Sequence, residues 1–149
     1  MDIQHQIKQS QFKSSKQKAH INLIYTFNYL SYSMKNIFKE YKIFYQHYNI
    51  LKILKGSGGK PLCNNEILDV MLDKTRDLTR LIDKLEEFKW VTKKTNPENK
   101  RSVMIQLTHL GLTKTQEIES KVEKWIEDCT YLTDEECENL SFLLDKFRG

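Results

Sequence analysis

The side chains of this chain best suited to chemistry are cations, and they fall into two groups close together in the sequence. The first lies on a face where Thr75, Arg76, Thr79, Arg80, Asp83 and Lys84, with Lys74 just ahead of them, stand opposite an apolar set of Leu78, Leu81, Ile82, Leu85 and Phe88. In the second, Lys93, Lys94, Lys100 and Arg101 bracket the turn cluster Asn-Pro-Glu-Asn-Lys. Two neighbouring groups of positive charge attract a polyanion. A guanidinium offers a fork of donors that matches guanine O6 and N7, whereas an ammonium meets phosphate as a point charge. The bland alternative for the first group is a solvated helix face. For the second it is a hairpin charged to keep its edges from sticking, which accounts for some of the lysines but not for their one-sidedness.

The elements that must position these residues can be read around them. Lys74 to Lys89 has apolar residues at helical spacing. Trp90 to Thr95 and Arg101 to Leu107 are rich in Val, Ile, Thr and Trp and read as two strands joined by the proline-containing turn. Ahead of them, Asn64 to Leu72 is a short helix with Ile67, Leu68 and Met71 facing inward, and Leu72-Asp73-Lys74 turns the chain. A short helix, a tight turn and a basic second helix make a helix-turn-helix, here by spacing alone, since the turn has no glycine. With the following ribbon the motif becomes a winged helix. In such a motif the first residues of the second helix meet base edges in the major groove. Lys74, Thr75, Arg76 and Thr79 are therefore the candidates for base contacts, and Arg80 and Lys84 for phosphate. An arginine on a narrow ribbon can enter a minor groove, which assigns Arg101 there and Lys93, Lys94 and Lys100 to phosphate.

Long helices flank this region. After a polar lead-in over residues 1–15, frayed or only partly helical, Lys16 to Tyr41 carries Ile21, Ile24, Phe27, Leu30, Met34, Ile37, Phe38 and Tyr41 in steps of three and four, with Tyr25, Tyr29 and Tyr32 beside them. That apolar surface is wider than one stripe and points to a subunit interface over simple core packing. Ile43 to Lys55 is a second helix, ended by Gly56-Ser57-Gly58-Gly59-Lys60-Pro61. This connector lacks the spacing of a phosphate loop. After the ribbon, Thr108 can cap a helix reaching Cys129, and Thr133-Asp134-Glu135-Glu136 is a capping box that opens a last helix with Cys137, Leu140, Leu143, Leu144 and Phe147 apolar. The fold expected is mainly α with a small β-wing, six helices and a ribbon in a single domain over residues 1–149.

Composition bounds the function. Charged residues are 30% of the chain and apolar ones 39%, which describes a soluble globular protein and not a disordered one. No apolar run nears membrane-spanning length, and the polar N-terminus lacks a signal core, so no membrane association and a cytosolic location are expected. The net charge is only +4, but residues 1–60 hold ten Lys/Arg against two Asp/Glu, while residues 112–149 hold five against ten. Three scattered cysteines, Cys63, Cys129 and Cys137, form no disulfide framework and no CxxC motif. The four histidines have no metal-ligand spacing, and no nucleophile motif such as GxSxG is present, so neither a metal, nor a cofactor, nor an enzyme is expected.

The run YNILKILKG, then Glu66-Ile67, TRLIDKLE over Thr79–Glu86, NKR at 99–101 and LTHLG over Leu107–Gly111 resembles the MarR family of bacterial transcriptional regulators. The likeness covers roughly residues 20 to 148 in element order and is most specific over 48 to 111. It implies a homodimer whose terminal helices, about 16–41 and 108–149, interlock, and whose two winged lobes, about 43–107, bind double-stranded DNA at a pseudo-palindromic operator. It also implies release by a small phenolic or aromatic ligand, or by cysteine oxidation. Two positions depart from the family pattern. Asn99 stands where the family usually has the Asp that braces the wing arginine, and Cys63 stands where it often has a Ser or Thr cap. A thiol at a helix N-terminus can have its pKa lowered, which makes Cys63 the candidate redox residue, against a plain reading as a small buried cap. An effector pocket is expected where the winged lobe meets the long helices, with Tyr25, Tyr29, Phe44, His47 and Tyr48 available, although aromatics at helical spacing are more often core. The sequence is thus read as a repressor released by a small aromatic ligand. The alternatives are a protein-interaction adaptor on the same fold, or a redox-sensing regulator through Cys63.

Overall fold

A computed structural model describes residues 2–74, 77–96 and 102–149. The polar lead-in is partly helical, as one of the two expected readings has it. It forms a short helix α1 (Ile3–Gln6) that lies against the next helix, with Ile3 buried, Asp2 paired to Lys18 at 3.3 Å and the Tyr25 hydroxyl donating to Gln6 Oε1 at 2.9 Å. Helix α2 (Ser15–Glu40) starts where Ser14 accepts the Gln17 amide, and of its whole length only Phe38 is buried.

The core is built on α3 (Tyr45–Gly56). His47, Tyr48, Ile50, Leu51 and Leu54 are buried on it, and it packs against α2, α4, α5, α6 and β3. This is the face that the i, i+3, i+4 spacing selects. Beyond the glycine connector, Leu62–Cys63 forms a strand β1 that the sequence reading missed. It is two residues long, too short for a periodic signal, and exists because Leu62 lies opposite Ile105. Helix α4 (Asn64–Val70) and helix α5 (Leu78–Glu87) follow, then β2 (Val91–Thr95) and β3 (Val103–Leu107). The sheet order is β1-β3-β2, antiparallel throughout, with Lys93 opposite the fully buried Ile105 and Lys94 opposite Met104.

Helix α6 (His109–Cys129) begins at the expected cap, Thr108, whose hydroxyl accepts the Gly111 amide at 2.9 Å. Helix α7 (Asp134–Arg148) begins at the expected capping box of Thr133 and Glu136 and has no buried residue. The described residues thus form seven helices and three strands. The architecture, mainly α with a small β-wing, is the one expected.

Gly111 fixes the junction between ribbon and α6. A Cβ there would stand 1.9 Å from the carbonyl oxygen of Trp90 and 2.7 Å from its carbonyl carbon. Those atoms are backbone and cannot swing aside. Gly111→Ala is therefore expected to lower stability by at least ~1–3 kcal/mol, the usual range for overpacking, and urea unfolding of the two proteins measures it.

Candidate nucleic-acid interface

Helix α5 is held by one face and free on the other. Leu78, Ile82 and Leu85 are buried, while Thr79, Arg80, Asp83 and Glu87 are exposed. Its end is set by Lys89, which takes a left-handed conformation (φ 61°) and lets the Trp90 amide donate to the Leu85 carbonyl at 2.9 Å. The ribbon therefore leaves the helix directly, and strand β2 runs beside α5. At the far end the Asn96 amide donates to the Ser102 carbonyl at 3.0 Å.

Side chains of α3 hold the chain where it leaves α4. Asn49 Oδ1 accepts the Leu72 amide at 2.9 Å, and Gln46 Nε2 donates to Asp73 at 3.1 Å, both from α3. Lys74 was placed on the reading helix by the sequence. It lies ahead of it instead, and its ammonium donates to the Leu68 and Asp69 carbonyls, each at 2.7 Å. Free carbonyls at a helix C-terminus attract a cation, so Lys74 caps α4.

The remaining predicted residues divide. Thr79 and Arg80 stand exposed on the first turn of α5, and Lys94 is exposed on β2. Lys84 is half-buried, 2.9 Å from Glu87 and over the Phe88 ring at 4.5 Å. Lys93, expected on phosphate, is held by two carboxylates of α5, 2.7 Å from Asp83 and 2.6 Å from Glu86, and these hydrogen bonds hold its pKa above the usual lysine value. Asp83 and Glu86 were not foreseen in this role. Their i, i+3 spacing was visible, but nothing local says that a strand residue will reach them. Thr75, Arg76, Lys100 and Arg101, and the Asn99 position, lie outside the described residues.

The five aromatic or imidazole candidates for an effector site are not gathered in one place. Tyr25 and Tyr29 lie exposed on α2, Tyr48 is buried with its phenol pushed up to about 12 by burial, and Phe44 is 64% exposed. Phe44 and His47 share a polar cleft of about 740 Å³ with Lys42, Arg80 and Lys84. Phe44 also borders a more apolar cleft of about 770 Å³ between α2, the start of α3 and Trp125 of α6. Met34, Lys35, Phe38 and Trp125 line it and were not among the predicted residues. Cys63 is the N-cap of α4. The Glu66 carboxylate accepts the Cys63 amide at 2.7 Å and the thiol as well, contacts that hold its own pKa below the usual value. Among the described residues no cluster of His, Cys, Asp and Glu could hold a metal ion, and no helix is long and apolar enough to cross a membrane.

A helix-turn-helix with an antiparallel wing packed beside its second helix defines a winged-helix regulator. The family described as "Transcriptional regulator SarA/Rot" matches residues 32–118, more than half of the chain. The chain belongs to that family, whose members are regulators of transcription and not enzymes. No curated protein is similar enough to count as a relative. Among solved structures, a MarR transcription factor from Planctomyces limnophilus is similar at 29% identity and a TM-score of 0.72, over 91% of this chain and 98% of that one. A cysteine-to-serine mutant of Escherichia coli MarR, solved with operator DNA, is similar at 24% and 0.70, over 90% and 99%. Bordetella bronchiseptica BpsR shares the fold at 17% and 0.79, over 93% and 98%. The MarR resemblance read from the sequence is upheld.

His47 carries a pH dependence. It is buried, and its Nδ1 accepts the Phe44 amide at 3.1 Å. Burial pushes its pKa below the ordinary 6.5. Between that value and the lower folded one, the unfolded chain binds a proton that the folded chain does not. Stability is thus expected to fall as pH drops below 6.5. Denaturant midpoints measured across that window should show the loss in the native chain and not in His47→Gln.

Proposed function

We propose that the chain is a homodimeric repressor that binds a pseudo-palindromic operator and releases it when a small aromatic molecule occupies the apolar cleft beside α2. The observation that carries this is the free first turn of α5. Thr79 and Arg80 are exposed on a helix whose opposite face is fixed in the core, beside a ribbon that carries the exposed Lys94. A helix presented in this way fits a major groove, with Thr79 near base edges and Arg80 and Lys94 on phosphate. Thr75, Arg76, Lys100 and Arg101 are assigned to the same surface by their place in the sequence. Escherichia coli MarR supports the reading as a DNA complex of the same fold.

Dimer formation is supported by the terminal helices. Ile24, Phe27, Tyr29 and Tyr32 of α2 and Leu140, Phe142, Leu143 and Phe147 of α7 are exposed in the single chain. Apolar area on this scale calls for a partner surface. Residues 16–41 and 108–149 are thus assigned to the dimer and 43–107 to DNA reading. The effector assignment is supported by the cleft itself, lined by Phe27, Met34, Phe38, Ile43 and Trp125 with Lys35 to meet an anionic group. Regulation of BpsR by 6-hydroxynicotinic acid offers a parallel on this fold.

Mobility shift on the DNA flanking the chain's own gene tests the DNA assignment. Arg80→Ala is expected to weaken binding and to flatten its salt dependence by about one unit of slope. Unchanged affinity and slope would reject a phosphate role for Arg80, and no shift by the native chain would reject DNA binding itself. In sedimentation the native chain should run as a dimer and Leu143→Glu as a monomer. A native monomer would remove the symmetric-operator reading.

A further inference from the structure

The exposed side of α5 is not uniformly basic. Asp83 and Glu86 sit one turn apart on it, and Asp83 follows Arg80 at helical i, i+3 spacing. Two carboxylates this close to the reading turn would face the phosphates of any duplex lying along the helix, and like charges brought together oppose binding. The ribbon supplies the answer. Lys93 projects from β2 with its side chain only 29% exposed, and its ammonium touches both carboxylates, at 2.7 Å and 2.6 Å. Among the described residues, Asp83 and Glu86 form no other ion pair. One side chain thus adds an ionic tie between two elements that already pack together, and offsets one of the two negative charges on this side of the helix.

We propose that Lys93 is a positioning residue of the DNA-binding surface: it masks Asp83 and Glu86 and ties the wing to the reading helix, and it does not itself bind phosphate. This rests on the DNA-binding function proposed above. An ammonium already shared by two carboxylates has little to offer a phosphate, because moving to one would leave two anions facing the duplex. Lys93 therefore sets how much of the charge of Arg80 and Lys94 a duplex meets. Lys94, one residue along and on the opposite side of the strand, has no such carboxylate partner among the described residues and remains a phosphate ligand.

The two roles separate in a mutant cycle. Binding of a fluorescein-labelled mixed-sequence duplex is followed by anisotropy over a range of NaCl for the native chain, Lys93→Met, Asp83→Asn/Glu86→Gln, and the variant with all three changes. Masking predicts that Lys93→Met loses affinity by about tenfold at low salt, from unmasked like charges. It also predicts that the paired carboxylate changes alter the native chain by less than about threefold but recover most of the loss in the Lys93→Met background, an interaction typical of side chains in contact. Lys93→Arg, which keeps the charge, should bind like the native chain. A phosphate-ligand role predicts instead that the carboxylate changes help both backgrounds equally, and that Lys93→Met lowers the salt slope by about one unit whether or not they are present. That additive result would overturn the proposal. Circular dichroism of each variant confirms folding, and should Lys93→Met fail to fold, Lys93→Gln takes its place in the cycle. A native chain that binds no duplex at any salt would mark the failure of the DNA-binding reading, whereas binding with an additive cycle would mark the failure of the masking role alone.

Discussion

The carbonyl of Trp90 lies where a Cβ on residue 111 would have to be, so the start of the ribbon and the first turn of α6 share one close backbone approach. The same peptide ties the reading helix, the ribbon and α6 together. The Trp90 amide donates to Leu85 at the end of α5, and its carbonyl accepts from the Thr108 amide at the start of α6. The Thr108 hydroxyl closes the joint by donating to the Lys89 carbonyl at 2.7 Å while accepting the Gly111 amide. The indole packs against Phe88 with 5.3 Å between ring centroids and edge-on to Tyr41, beyond the end of α2, at 6.5 Å. Backbone hydrogen bonds of this kind have little slack. Helix α5, the ribbon and the long α6 therefore meet at one point, and a shift in α6 has a direct mechanical route into the elements proposed above to meet DNA.

How much of this was legible in the sequence depended on how local each cause is. Helix spans and caps were readable because Thr108 and the Thr133–Glu136 box act on their own neighbours. The motif over Leu107–Gly111 was visible as a pattern, but the need for glycine there was not, since the obstructing atom belongs to Trp90. Strand β1 escaped notice because so short a segment carries no period. Lys74 was misplaced because helical spacing extended back over the turn, while the carbonyls that claim its ammonium belong to α4.

The candidate site shows the same limit in its charges. Sequence reading counted the cations of α5 and the ribbon as if each were available. The fold distinguishes an exposed Arg80 and Lys94 from a Lys93 shared by two carboxylates and a Lys84 lying along Phe88 and Glu87. A count of cations along a stretch therefore overstates the field it can present, because some of them are paired with carboxylates of the same surface. The aromatic candidates show the complementary limit. Type and spacing grouped five residues that the fold disperses, and of these Phe44 lines the apolar cleft, beside Met34, Phe38 and Trp125 brought from helices far apart in the chain.

Helix α7 buries none of its 15 residues within its own chain. A peptide helix of that length is marginal in water even with a good cap, and the stacking of Phe147 on His20 at 6.3 Å is a slender tether. In the dimer proposed above, the order of this last segment would be a matter of mass action. It would exist in the measure that a complementary surface is at hand, so that abundance becomes an input to shape, and a chain produced in small amounts would offer proteases an unravelled tail that a plentiful one conceals.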